Sequence, residues 1–137
     1  MTIEYKQRNL KHWAIINLVF GILQLLLAVV AGGTARFSYL LAGGFTLVCG
    51  IYAYLTTKDA KTSKSAFILV TINLVLSVIG TIAAFVMVGG GTAIITDLIE
   101  VVVAFNVYRW VRDIKKDVED QELAEFEREE NEENDNI

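Results

Sequence analysis

The sequence predicts an all-α integral membrane protein: four transmembrane helices in two tandem hairpins, both termini cytoplasmic, with a cytoplasmic acidic C-terminal extension. Three observations predict it. Hydrophobic residues make up 54% of the 137 residues and charged ones only 20%, and the apolar residues fall in four runs, about 13–31, 38–56, 66–88 and 92–110. Each run is close to the roughly 20 residues that cross a bilayer as a helix, which excludes a soluble globular fold. The joints between runs are short and polar or glycine-rich, and the basic residues gather next to one set of helix ends.

The first run is uncharged between His12 and Arg36 and follows Lys6, Arg8 and Lys11. A cleaved signal peptide has that charge pattern, but its apolar stretch is about 7 to 15 residues, and this run is longer and pairs with a second span. A retained helix is expected, preceded by a cytoplasmic segment over 1–12. Gly32 to Phe37 links it to the second run, which stays uncharged to Thr57. The polar stretch Lys58 to Lys64 separates the two pairs, and Gly89-Gly90-Gly91 joins the third run to the fourth. Connections this short make neighbours antiparallel. The membrane domain is read as 13–112.

Orientation follows from the basic residues. Lys6, Arg8, Lys11, Lys58, Lys61, Lys64, Arg109, Arg112, Lys115 and Lys116 fall on one side and Arg36 alone on the other, ten against one, so that side is expected to be cytoplasmic. Trp13, Tyr52, Tyr54, Tyr108 and Trp110 then mark the inner interface, and Phe37 and Tyr39 the outer one. Residues 113–137 form the tail. From Asp117 onward eleven acidic residues stand against Arg128, a charge of -10, so the first 116 residues carry +6 of the net -4. Pairs such as Lys115 with Glu119, and the stripe Ile114, Val118 and Phe126, continue the fourth helix into the cytoplasm, with disorder expected past Glu129.

An internal repeat accompanies the hairpins. Ile16-Asn17-Leu18-Val19 returns as Ile72-Asn73-Leu74-Val75 and Tyr52 with Tyr54 as Tyr108 with Trp110, both 56 residues on; Gly33-Thr34-Ala35 returns 58 residues on as Gly91-Thr92-Ala93. Two spans per unit give both halves the same topology. The strings Gly21-Ile22-Leu23-Gln24-Leu25-Leu26-Leu27-Ala28, Leu40-Leu41-Ala42-Gly43-Gly44 and Gly50-Ile51-Tyr52 resemble the two-helix repeat of the bacterial acid-resistance membrane protein family. That resemblance implies a hairpin architecture and carries over no active residue; the proline often found between the paired helices of the family is absent here.

Candidate chemistry centres on Asp97 and Glu100, because an ionisable residue inside a membrane helix costs about 2.5 to 3.5 kcal/mol on insertion scales and faces the bundle interior. Their i, i+3 spacing puts both on one face, extended by the small residues Ala93 and Ala104. At 1.5 Å per residue Asp97 lies roughly 7 to 8 Å deep and Glu100 roughly 12 Å. Gln24, Thr46 and Thr81 reach similar depths and Ser77 lies deeper, which predicts a polar layer around the carboxyls. This layer has a functional reading, in which a carboxyl binds and releases a proton or cation, and a structural one, in which hydrogen bonds pin helix register; Asp97 could also simply reach the outer interface. Asn17, Asn73 and Asn106 form a second expected polar layer nearer the cytoplasm. Ala28 with Gly32, Gly80 with Ala84, and Gly43, Gly44 and Gly50 are expected as close-packing faces.

Other chemistries lack their residues. Cys49 is the lone cysteine, so no internal disulfide or cysteine-rich metal site forms, and His12 stands alone at the inner interface. No nucleophile–base motif or phosphate-cradling loop is present, so neither an enzyme, a cofactor nor a metal is expected. The acidic tail argues against nucleic acid. The reading is a non-catalytic protein of a bacterial-type cytoplasmic membrane: an accessory, regulatory or protective subunit, of the stress-resistance or immunity type, that packs with itself or another membrane protein. The alternative is an oligomeric proton- or cation-linked transporter or channel using Asp97 and Glu100. The tail could also dock a basic cytoplasmic partner.

Overall fold

In the computed structural model, which describes residues 2–88 and 92–136, the chain is all-helical. Four long helices, α1 (Ile3–Val30), α2 (Gly33–Lys58), α3 (Ser63–Val88) and α4 (Thr92–Asp135), are joined by a two-residue link after α1 and by a short 3-10 turn (Ala60–Thr62) before α3. The Gly89-Gly90-Gly91 joint lies outside the described residues. The chain runs up-down-up-down around a ring, α1 against α2 and α4, and α3 against α2 and α4, and the α1/α2 and α3/α4 hairpins are the most extensive contacts.

The helices are longer than the apolar runs. Thr2 caps α1 by accepting the Tyr5 N–H (3.2 Å), and nothing in Tyr5 to His12 breaks a helix, so the expected N-terminal segment is the first three turns of α1. The expected Gly32–Phe37 link contracts to Ala31 and Gly32, because Gly33 takes a positive φ of 63° that turns the chain directly into α2. Arg36 then reaches back, its Nε donating to the carbonyls of Ala28 (3.2 Å) and Ala31 (3.0 Å). It thereby satisfies open carbonyls at the C-terminus of α1, where a cation is favoured. The tail also departs from expectation: α4 continues as helix to Asp135 rather than disordering past Glu129. Glutamate is a good helix former, and no glycine or proline follows Gly91 to stop the helix.

Three helical stretches are long and apolar enough to cross a membrane: Ile3–Val30, Gly33–Lys58 and Ala60–Met87. Four were expected. The apolar part of α4 does not meet the same criterion because it contains Asp97, Glu100 and Arg109. Only 22%, 33% and 17% of the most apolar windows of the three is buried inside the bundle, so most of their apolar surface faces outward, as on helices that require an apolar surrounding.

The bundle is tight at one end and loose at the other. Leu10, Ala14, Ala53, Ala66, Val70, Val107, Val111 and Ile114 are buried together at the end that holds the N-terminus and the α2–α3 turn. Here the first turns of α1 lie along the extension of α4. Lys6 pairs with Asp117, Lys64 with Glu122 (2.6 Å), Tyr5 meets the Trp110 ring edge-on, and Gln7 Nε2 donates to the Thr56 carbonyl (3.0 Å). The ten basic residues of the sequence argument gather at this end, so the start of the acidic tail neutralises part of its own basic collar. Lys115 Nζ lies 2.7 Å from Glu119 Oε1, one helical turn on.

Close backbone approach seals α1 to α2. A Cβ on Gly21 would stand 2.8 Å from the Leu47 N, one on Gly43 2.9 Å from the Leu25 N, and one on Gly50 2.9 Å from the Leu18 side chain. Gly43 and Gly50 therefore pack as expected, and Gly21 joins them. The other expected packing glycines do not: Gly32 serves the link, and Gly32, Gly44 and Gly80 have nothing within 4 Å of a Cβ. Ala28 is buried, whereas Gly80 is exposed and Ala84 half-buried on α3, so neither proposed pair closes a contact inside the bundle.

Two predictions follow from this packing. Gly21→Ala should cost about 1 to 3 kcal/mol, as overpacking does, and lower the thermal unfolding midpoint in detergent micelles; Gly44→Ala and Gly80→Ala should leave that midpoint unchanged. The Lys115 ammonium, hydrogen-bonded to Glu119, holds the Glu119 carboxyl below its ordinary value. A depressed carboxyl stabilises above its unfolded value, and the effect is lost as pH falls through the folded one. Lys115→Gln should move the Glu119 carboxyl titration, followed by NMR, back upward.

Candidate functional site

Beyond the sealed half of the bundle the helices diverge around a cavity of about 540 Å³. All six residues expected in the outer polar layer line it: Gln24 from α1, Thr46 from α2, Ser77 and Thr81 from α3, and Asp97 and Glu100 from α4. Helical spacing explains the convergence. Asp97 and Glu100 share one face of α4, and Ser77 and Thr81 share one face of α3, one turn apart. Gly43 lets α2 approach α1 next to the Gln24 side chain, with a Cβ there only 3.0 Å from the Gln24 Cβ.

One hydrogen bond ties the layer across the bundle. Gln24 Nε2 donates to Glu100 Oε1 at 2.8 Å, joining α1 to α4. The other end of the same amide, Gln24 Oε1, is buried without a partner. Thr81 spends its hydroxyl on the Ser77 carbonyl of its own helix (2.8 Å). Asp97 is half-buried and lines the same cavity, so its carboxylate belongs to the layer rather than to a helix end. The side chain of Ala93 lies outside the described residues; Ala104 is buried in the core between α4 and its neighbours.

Among the described residues no hydrogen bond links the three asparagines expected in the second layer, Asn17, Asn73 and Asn106. Asn17 Nδ2 donates to the Thr46 carbonyl (2.9 Å), locking α1 to α2. The equivalent bond in the second hairpin would run from Asn73 to the Val102 carbonyl, 56 residues on from Thr46. That carbonyl is taken instead by Asn106 Nδ2, from within α4, at 2.8 Å. Asn106 itself occupies the position equivalent to Gly50, the glycine that lets α2 touch Leu18 and Asn17. Asn73 lines the cavity instead. Asn73 is only 6% exposed and Thr46 4%, yet among the described residues no hydrogen bond engages the Asn73 amide or the Thr46 hydroxyl.

The sequence argument did not place Asn73 in the outer layer or include Ser38, Tyr39 and Phe45, which complete the wall. The only signal for Asn73 was its place on the Ser77–Thr81 face, four residues before Ser77. Among the described residues no group of three or more histidine, cysteine or carboxylate side chains is placed to hold a metal ion. What the arrangement can do chemically is present two carboxyl groups and several neutral oxygens to one partly open cavity.

Removing the Gln24 amide tests the cross-bundle tie. Gln24→Leu should destabilise the protein by about 0.6 to 1.7 kcal/mol, the range for hydrogen bonds between membrane helices. Glu100→Gln, which retains a hydrogen-bonding partner, should cost less; thermal unfolding of the three proteins in one detergent compares them directly.

No family model, curated protein or solved structure matches the chain. The resemblance of the first hairpin to the acid-resistance repeat therefore rests on its quoted residues alone.

Proposed function

We propose that this is a non-catalytic polytopic membrane protein that binds a proton or cation at Asp97 and Glu100, acting as a small oligomeric transporter or channel. All four helices span the membrane in this reading, with α4 tolerating its two carboxyls because they face the cavity. The basic end is cytoplasmic, and Arg36, engaged in capping α1, weighs little against ten basic residues at the other end. The single observation that carries the reading is the convergence of polar residues from four helices on one cavity holding both carboxyls. Register pinning requires only the Gln24–Glu100 bond; it gives no reason for Asp97, Asn73, Thr46 and Ser77 to line the same space.

A second reading, the accessory subunit that packs on itself or on another membrane protein, is favoured by one feature. Gly80 is exposed on α3 with nothing within 4 Å of a Cβ there, which leaves room for the close approach of a further helix. The exposed acidic helix beyond Leu123 offers such a subunit a cytoplasmic handle for a basic partner.

Substitution of both carboxyls separates the readings. Purified protein in liposomes should carry a proton or monovalent-cation flux above that of empty liposomes, and Asp97→Asn with Glu100→Gln should reduce it at least tenfold. The same double variant should leave the accessory role intact, since amides still hydrogen-bond. Equal flux in variant and wild type would refute the transport reading.

A further inference from the structure

Resting on the cation-binding reading of the same cavity, we propose that its ligand is an amphipathic organic cation, a protonated amine carried on an apolar body. Size is the first argument. A volume of about 540 Å³ falls within the roughly 300 to 1,000 Å³ of small-molecule sites, whereas a water occupies only about 30 Å³. A proton or single ion would leave nearly all of it unfilled.

The second argument is the chemistry left open on the walls. Gln24 Oε1 is an acceptor with no donor, because the Nε2 of the same amide is committed to Glu100. Thr46 and Asn73 line the same cavity and add a hydroxyl and an amide to its wall. Buried polar atoms are normally paired, so the unpaired Gln24 Oε1 beside this volume points to a donor that enters it. With Asp97 and Glu100 beside it, the open positions are dominated by acceptors. No lysine or arginine lines the cavity. The complement is a positive group carrying several N–H donors, which describes an ammonium better than a quaternary cation.

The third argument is the mixed character of the walls. Beside the carboxyls of α4 and the polar groups of the other three helices, Tyr39, Leu41 and Phe45 on α2 and Leu76 on α3 give the wall apolar and aromatic surface as well. A ligand with its charge at one end satisfies both kinds of surface at once. An aromatic face near the charge adds cation–π attraction.

The test uses the full chain in nanodiscs with 1-naphthylmethylamine, whose fluorescence reports its surroundings, and with 1-naphthylmethanol as the neutral molecule of nearly the same shape. Empty nanodiscs give the background for partition into lipid. The expected result is saturable binding of the amine, one per chain, with no saturable binding of the alcohol. Affinity should fall at least tenfold in Glu100→Gln and several-fold in Asn73→Leu, a variant that leaves both carboxyls and the Gln24–Glu100 bond in place and so serves if the first fails to fold. Absence of saturable amine binding, or binding unchanged in both variants, would overturn the proposal. Flux of protons and of sodium or potassium ions on the same preparations separates this inference from the reading beneath it. Carboxyl-dependent flux without amine binding would leave the cation reading standing and remove the organic ligand, and loss of both would remove the two together.

Discussion

The approach of α1 to α2 through Gly21, Gly43 and Gly50 is the contact on which the other arrangements depend. In an apolar surrounding no hydrophobic force draws helices together, and association rests on van der Waals packing and hydrogen bonds. Glycine permits both, since a Cβ at any of the three positions would stand within 3 Å of its neighbour. Backbone proximity then brings the Asn17 amide to the Thr46 carbonyl and sets Gln24 where it meets Glu100. The second hairpin has Ser77, Ile99 and Asn106 at the positions equivalent to those three glycines.

Charge organises the opposite end. Basic residues that report orientation in the sequence are, in the folded chain, partly neutralised by the first turns of the acidic extension, through Lys6 with Asp117, Lys64 with Glu122 and Lys115 with Glu119. The Lys64–Glu122 and Lys115–Glu119 pairs are exposed and worth little individually, whereas Lys6–Asp117 is part-buried. The collar is held mainly by the buried Leu10, Val111, Ile114 and Val118 beneath them. A rigid end next to a loosely packed one is a suitable frame for a binding cavity, because the frame keeps the helix axes in place while the cavity walls adjust to what enters.

The outward face of the bundle has its own consequence. Large apolar side chains such as Ile22, Leu26, Ile79, Ile82 and Phe105 are exposed along most of the helix length. A single four-helix ring leaves them uncovered, as on helices long and apolar enough to cross a membrane. Placing two carboxylates inside such a ring is costly, and their position on a cavity-lining face, opposite amides and hydroxyls, limits that cost.

By itself the sequence determined the helical class, the two hairpins, the segregation of basic residues and six of the residues that line the cavity. These follow from period, run length and spacing along single helices, which are local properties. It also anticipated Gly43 and Gly50 as contact glycines. Only the tertiary structure decided which small residues touch: Gly21 is sealed against Leu47, while Gly32, Gly44 and Gly80 meet nothing. It also decided the fate of the three asparagines, since a side chain amide bonds to whichever carbonyl lies nearest in space. Asn17 found one across a helix pair, Asn106 found one on its own helix, and Asn73 found none and faces the cavity. Helix rotation and interaxial distance set those outcomes, and neither is written in the order of residues along one helix.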